Sequence, residues 1–360
     1  MKRILAIIFC FSFMLVFSAC SLEGETSTSS TTVTKKIGSF LKSFDGGKNW
    51  ESKVKIDETK NIGLANVLSM AISLKDSNVI YLGTEKDGLY VTRDGAGKWE
   101  KLIFPLAKIY GLAIDVNNDQ IIYATGSINS RAKIFKSMNG GKEWQEIYTE
   151  PNNSSVISSL NINKKDSRIL YCGTSEGMIF KTTDGGQSWK NITKANGPVI
   201  NISFDSANDK VVYFAISKGS ILRTMDGGDK IDDLGEIDIS KFVEGKSFSL
   251  SNTYSIKADP RNSGVLYVGT DSGMLKGSDF GNKWEEINIL ESSRKFPIRA
   301  IAINPQNSSE IIYSNSGVIY RSEDGGTNWV TFQLNSENSV QILEYDPLNP
   351  NNIYAGLRKI

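Results

Sequence analysis

The chain contains no histidine. That removes histidine-based triads, imidazole acid–base chemistry and histidine-bearing zinc or iron centres. Any catalysis would have to rest on carboxylates, Tyr, Lys or Ser. Cysteine is nearly as scarce, with Cys10, Cys20 and Cys172 the three copies. No charge of one sign dominates, since 41 basic residues face 40 acidic ones. The balance leaves no electrostatic footprint for nucleic acid or anionic lipid. Apolar periodicity of 3.6 residues is missing, which argues against a helical repeat. The alternating oxygen ligands of a calcium loop are also missing, and neither a metal site nor a cofactor is expected.

One apolar run stands out, Ile4–Phe17, directly after Met1-Lys2-Arg3. It is shorter than the roughly 20 residues a spanning helix needs and reads as an export signal ending at Ser18-Ala19-Cys20. Its LVFSAC ending resembles a bacterial lipobox, with Phe17 where leucine is more usual. The resemblance implies cleavage before Cys20 and a diacylglyceryl group on its sulfur, and two acyl chains suffice for stable anchoring. The expected layout is a lipoprotein leader over 1–19, a lipidated cysteine and Ser/Thr-rich tether over 20–35, and a single domain over 36–360. Such a domain would be exported. It would sit at the outer face of the cytoplasmic membrane or the periplasmic side of an envelope membrane. Cys172 would then have no intrachain partner, so a hydrophobic core must hold the fold.

Within the domain one octet is written seven times: SFDGGKNW, TRDGAGKW, SMNGGKEW, TTDGGQSW, TMDGGDKI, GSDFGNKW and SEDGGTNW. Its acidic or amide positions are Asp45, Asp94, Asn139, Asp184, Asp226, Asp279 and Asp324, separated by 49, 45, 45, 42, 53 and 45 residues. All six tryptophans (Trp50, Trp99, Trp144, Trp189, Trp284 and Trp329) close an octet, and Ile231 closes the seventh. A second element, of the form VIYLGT or ILYCGT, lies upstream of every octet except the first, and before it comes another apolar stretch. Each period is therefore three or four short strands with turns between them, and about 45 residues holding four strands is the period of a β-propeller blade. The fold expected is all-β, a propeller of seven four-stranded blades.

The octet joins the third and fourth strands of a blade. Its Asp or Asn can accept hydrogen bonds from the following turn, its glycines supply positive φ, and its Trp buries a large apolar face between blades. A motif present in every blade is structural, because a catalytic centre is assembled once. The last segment, Val340–Ile360, holds the two upstream runs and stops before any octet, so it completes the first octet's blade and closes the ring.

The SxDGGxxW repeats resemble the Asp-box, or bacterial neuraminidase repeat, over essentially the whole domain. Among Asp-box proteins, the sialidases imply an early Arg-Ile-Pro signature and an arginine cluster. Here Phe296-Pro297-Ile298-Arg299 has the wrong order, and the ten arginines are scattered. Xyloglucan-type glucanases place two propellers face to face with a catalytic carboxylate from each, and this chain holds one. The photosystem II stability/assembly factor family is similar in length, anchor and repeat number, and it implies non-catalytic protein binding or assembly work by a monomer at a membrane surface. A glycosidase using a carboxylate pair and a carbohydrate-binding adhesion module remain alternatives, so the partner is an unidentified protein or polysaccharide. Two stretches break the repeat and are candidate binding loops. Ser127–Lys133, with Arg131, lengthens a strand connection. Asp229–Tyr254, with Asp232, Asp233 and Tyr254, follows the octet without Trp and otherwise reads as a solvated insertion or decayed fourth strand.

Overall fold

Runs rich in Ile, Val, Leu and Tyr, each closed by Asp, Asn, Gly or Ser, have the composition of short strands buried on both faces. In the computed structural model, which describes residues 37–151, 155–243, 249–290 and 297–359, they build seven four-stranded antiparallel sheets. The expected export signal, Cys20 and the expected tether lie outside the described residues. Blades 1 to 6 span 67–101, 111–149, 157–194, 199–233, 253–287 and 298–333. Blade 7 is composite. Its inner strands, Ser339–Tyr345 and Ile353–Arg358, come from the end of the chain, and its outer strands, Phe40–Ser43 and Glu51–Ser52, from the start. Register is fixed by pairs such as Leu41 with Ala355 and Lys42 with Tyr354. Each innermost strand contacts that of the next blade around the circle, blade 7 to blade 1 included, so the ring is closed. The helices among the described residues are single 3-10 turns, and none is long and apolar enough to cross a membrane.

The core is divided among the blade interfaces. Trp99 lies in a cluster with Phe40, Ile62 and Tyr354, and its ring meets Phe40 edge-on at 5.0 Å. Trp144 meets Phe104, in the connection that follows blade 1, at 4.7 Å in the same manner. Polar latches accompany these contacts. Tyr81, Tyr123 and Tyr171, from the second strands of blades 1 to 3, donate to the carbonyls of Gly140, Gly185 and Gly227 in the next blade's octet. Lys42, Arg93, Lys136 and Lys181 donate to the equivalent glycine carbonyls at 2.7–3.0 Å. Every interface so latched is apolar inside and charge-assisted at one end, which fixes blade orientation as well as contact.

Several expectations are corrected. Ser127–Lys133 does not lengthen a connection. The flanking strands themselves run on, Ile122–Ile128 and Arg131–Ser137, around a two-residue turn whose Asn129 and Ser130 both have positive φ, the geometry that suits strand twist in a tight hairpin. Of Asp229–Tyr254, the described residues 229–243 and 249–254 fit a decayed fourth strand, two residues long at Asp232–Asp233, rather than a solvated insertion. After a two-residue outer strand its chain forms three 3-10 turns, and Leu234, Ile239, Val243 and Leu250 are buried together with Trp284. Leu234 lies beneath Gly281 as Leu102 and Ile147 lie beneath Gly141 and Gly186, so it performs the outer strand's packing there. The segment Ile311–Ser316 (IIYSNS), which carries the second strand of blade 6, is displaced by one residue relative to its counterparts. Ile312, rather than Tyr313, packs beneath the next octet at Gly47, and Tyr313 stacks on Tyr320 at 4.5 Å instead.

Candidate functional site

Two surfaces follow from the topology. Octets and first-to-second strand turns share one face, as the Gly185 N–H bonded to the Arg168 carbonyl shows. The connections between blades occupy the other face. On the octet face, Asp45 Oδ1 accepts from the Ser43 hydroxyl at 2.8 Å and from the Lys48 and Asn49 amides at 3.1 and 2.9 Å. Ser43 Oγ in turn accepts from the Gly47 amide at 2.8 Å. The same closed turn is made by Asp94, Asn139, Asp184, Asp226 and Asp324. Asp279 makes none of these bonds among the described residues. Gly277 supplies no hydroxyl, and with Phe280 in a glycine position the backbone takes φ of 51° at Asp279 and 58° at Phe280. The carboxylates point into their own turns, so these residues have little capacity left for a ligand.

Burial opposes ionisation of Asp45, yet bonds from Asn49, Ser43 and Lys48 outweigh it and hold the carboxyl at about 2. Asp324, bonded first by Asn328 and then by Ser322, also falls to about 2. A folded-state pKa below the unfolded value gives stability that is present above about pH 4 and is lost as pH falls toward 2. Tm measured from pH 7 to pH 2 is therefore expected to drop steeply below pH 4. Asp45→Asn, which reproduces the natural Asn139 turn, should remain folded at pH 7 with a shallower acid limb. An unchanged acid limb would show that the octets do not control it.

The described part of the ring encloses an axial cavity of about 470 Å³ lined by the inner strands. Its wall is uneven. Blades 1 and 2 contribute Ala71, Leu74, Ala113 and Val116, whereas blades 3 to 7 contribute Asn161, Lys164, Ser203, Ser206, Lys257, Arg299 and Glu344. Lys257 Nζ and both oxygens of Glu344 pair at 2.7 and 2.6 Å, joining blades 5 and 7 past blade 6. On the inter-blade face, Arg299 lies over the Tyr254 ring at 5.0 Å and has no hydrogen bond or ion pair among the described residues. Burial draws its guanidinium below the ordinary value, and nearby Arg358 adds repulsion.

The candidate loop residues are not brought together. Tyr254, on the inner strand of blade 5, lies beneath Arg299, which lines the channel. Asp232 is paired with Arg223 at 3.0 Å and Lys230 at 3.2 Å, while Asp233 caps a 3-10 turn and accepts from Ser220. Arg131 begins the third strand of blade 2. Lys164, Lys257, Arg299 and Glu344 carried no signal as a group, being drawn from four blades and separated by up to 180 residues of sequence. Cys172 is buried and free, and burial pushes its thiol pKa up, which suits a packing residue rather than a nucleophile. No group of three or more Cys, Asp or Glu among the described residues is arranged to hold a metal ion.

Seven four-stranded blades in a closed ring, six of them carrying a closed Asp-box turn, define an Asp-box β-propeller. Comparison with known proteins agrees at the level of the fold. A family model described as "Sortilin, neurotensin receptor 3" matches residues 132–260. Xyloglucanase Xgh74A of Acetivibrio thermocellus is 24% identical over 313 residues, covering 70% of this chain and 37% of that protein. Among solved structures, the GH74 enzyme of Niastella koreensis superposes with a TM-score of 0.65 at 18% identity, covering 81% of this chain and 51% of that one. YCF48 bound to D1 peptide superposes with a TM-score of 0.61 at 16% identity, covering 85% of this chain and 98% of that one. The chain thus spans about a third of the curated xyloglucanase and about half of the GH74 structure.

Proposed function

We propose that this chain is a non-catalytic binding propeller, anchored through Cys20 at a membrane surface, whose partner is a protein segment received at the inter-blade mouth of the channel. The observation that carries this reading is the Tyr254–Arg299 pair, an aromatic ring and an arginine without hydrogen-bonded or ion-paired partner among the described residues, at the rim of a concavity. Tyr and Arg in partly desolvated positions are the residues that most often dominate protein interfaces. The similarity to a propeller solved with a bound peptide supports the same choice of ligand class.

A second reading, hydrolysis of a xyloglucan-like polysaccharide, draws on the resemblance to Xgh74A. A glycosidase acid needs a carboxyl whose pKa is raised. Every Asp and Glu with a resolved shift among the described residues moves the other way, Asp184, Asp205, Asp232 and Glu323 included.

The test places a photo-crosslinking residue at position 254 of the full chain and, as a control, at the exposed outer-strand position 330. Membrane pellets, in which a Cys20-anchored chain sediments, are then irradiated. One discrete adduct from position 254, absent from position 330 and lost on Arg299→Ala, is the expected result. Release of reducing sugar from xyloglucan by the purified chain, with no adduct at position 254, would overturn it.

A further inference from the structure

Asn-Gly and Asp-Gly are the dipeptides in which a backbone nitrogen most easily attacks the preceding side chain, because glycine places no Cβ in its path. The chain holds them at Asp45, Asp94, Asn139, Asp184, Asp226 and Asp324 inside octets, at Asp87 in the hairpin of blade 1, and at Asn196 in the connection from blade 3 to blade 4. Attack needs a side chain free to turn and a nitrogen able to lose its proton to solvent base.

Seven of these sites are locked. At each of the six octet sites the amide of the first glycine, Gly46 or Gly185 for example, donates to a carbonyl in the first-to-second strand turn of its own blade, at 2.8–3.0 Å. Gly88 donates to the Ala107 carbonyl at 2.9 Å. Asn139 is held by its side chain as well. Its Oδ1 accepts from the Ser137 hydroxyl at 3.1 Å and the Glu143 amide at 2.9 Å, and its Nδ2 donates to Glu143 Oε2 at 3.0 Å.

Asn196–Gly197 is the exception. The Asn196 side chain is exposed and makes no hydrogen bond among the described residues, and the Gly197 amide donates to none of them. Its neighbours are held: the Ala195 amide donates to the Gly177 carbonyl at 2.9 Å, and the Pro198 carbonyl accepts from the Ser217 amide at 2.8 Å. A free bend thus lies between two fixed points, with the reacting atoms in adjacent residues and open to water.

We propose that Asn196 is a deamidation site of the folded protein, with water as the co-reactant. The Gly197 nitrogen loses its proton to solvent base and bonds to Asn196 Cγ. The Cγ–Nδ2 bond breaks and ammonia leaves, closing a succinimide. Water opens that ring at one of its two carbonyls and leaves an aspartyl or an isoaspartyl residue. Either product adds a negative charge to the inter-blade face. The isoaspartyl form also carries the main chain through the side-chain methylene. It does so in the shortest connection between successive blades, residues 195–198, next to Val199, which has no exposed surface. The site does not depend on what the channel mouth binds.

The test incubates the full folded chain at 37 °C, at pH 6.5 and pH 8.5. Its peptides are mapped by mass spectrometry, with chromatographic separation of aspartyl and isoaspartyl forms. Position 196 should gain the mass of an amide-to-acid change, faster at the higher pH. Position 139 should lag it by at least about tenfold, since its turn must first open against hydrogen bonds of about 1 kcal/mol each. In urea the two positions should convert at similar rates. Asn196→Gln, an exposed change whose ring closure needs a six-membered imide, should remove the acidic variant seen by ion exchange and leave Tm unchanged. No conversion at position 196 in the folded chain, with both positions converting in urea, would overturn the proposal. So would an undiminished acidic variant in Asn196→Gln, or equal rates at positions 139 and 196 without urea.

Discussion

Deleting residues 37–54 is expected to abolish cooperative unfolding rather than lower the midpoint by a few degrees. The segment looks peripheral, being an end of the folded domain, where trimming is usually tolerated. Here it supplies half a blade. Phe40 and Leu41 are neighbours in sequence yet feed different cores, Phe40 the interface of blades 7 and 1 and Leu41 that of blades 6 and 7. Fully burying each is worth about 1.5–3 kcal/mol. The same deletion removes the Lys42 latch to the Gly95 carbonyl at 2.9 Å and the bond from the Leu357 amide to the Ser39 carbonyl at 2.8 Å. It also bares Ile353–Arg358 as an edge strand. Those losses are comparable with the ~5–15 kcal/mol that stabilises a typical domain. Urea unfolding followed by tryptophan fluorescence should lose its sigmoidal transition. A clean two-state curve shifted by only a few degrees' equivalent would show that the ring does not need its clasp.

The second large effect concerns Trp99. It has no exposed surface, meets Phe40 edge-on, and its indole N–H donates to the Lys53 carbonyl across the blade interface at 2.8 Å. Trp99→Ala should destabilise by about 3–5 kcal/mol through the cavity it leaves. Trp329 holds the same octet position but is partly exposed, and Trp329→Ala should lie near about 1–2 kcal/mol. Denaturant midpoints of the two variants check the ordering. Equal losses would mean that the octet tryptophans act through their own turns, not through the neighbouring blade.

Most of the fold was legible because the propeller is periodic. Seven octets and seven upstream strands counted the blades, and the unmatched halves at Ser43–Trp50 and Val340–Ile360 disclosed the composite one. Legibility failed where a blade departs from the repeat in space while keeping it in letters. The one-residue displacement at IIYSNS depends on strand pairing, and Asp279 lost its turn through Gly277 and Phe280 together. The channel was the least readable part. Lys164, Lys257, Arg299 and Glu344 occupy axis-facing positions that vary freely from blade to blade, so no motif marks them. Tyr254 was the nominated residue that packs against a channel-lining side chain, Arg299, while Asp232 and Asp233 proved to be engaged within blade 4.

Blade 7 also dictates the timing of biosynthesis. The strand Phe40–Ser43 is among the first folding residues to be made, and its partner Ile353–Arg358 is among the last. During synthesis the earliest strand, paired only with Glu51–Ser52, must wait until some 310 residues later its other complement emerges. The six internal blades can form in order meanwhile, but as an open arc with two sticky ends. A chain that stops early is therefore a substrate for proteases or for pairing with a second chain. Completion of the ring is in effect a proofreading step, passed by full-length molecules alone.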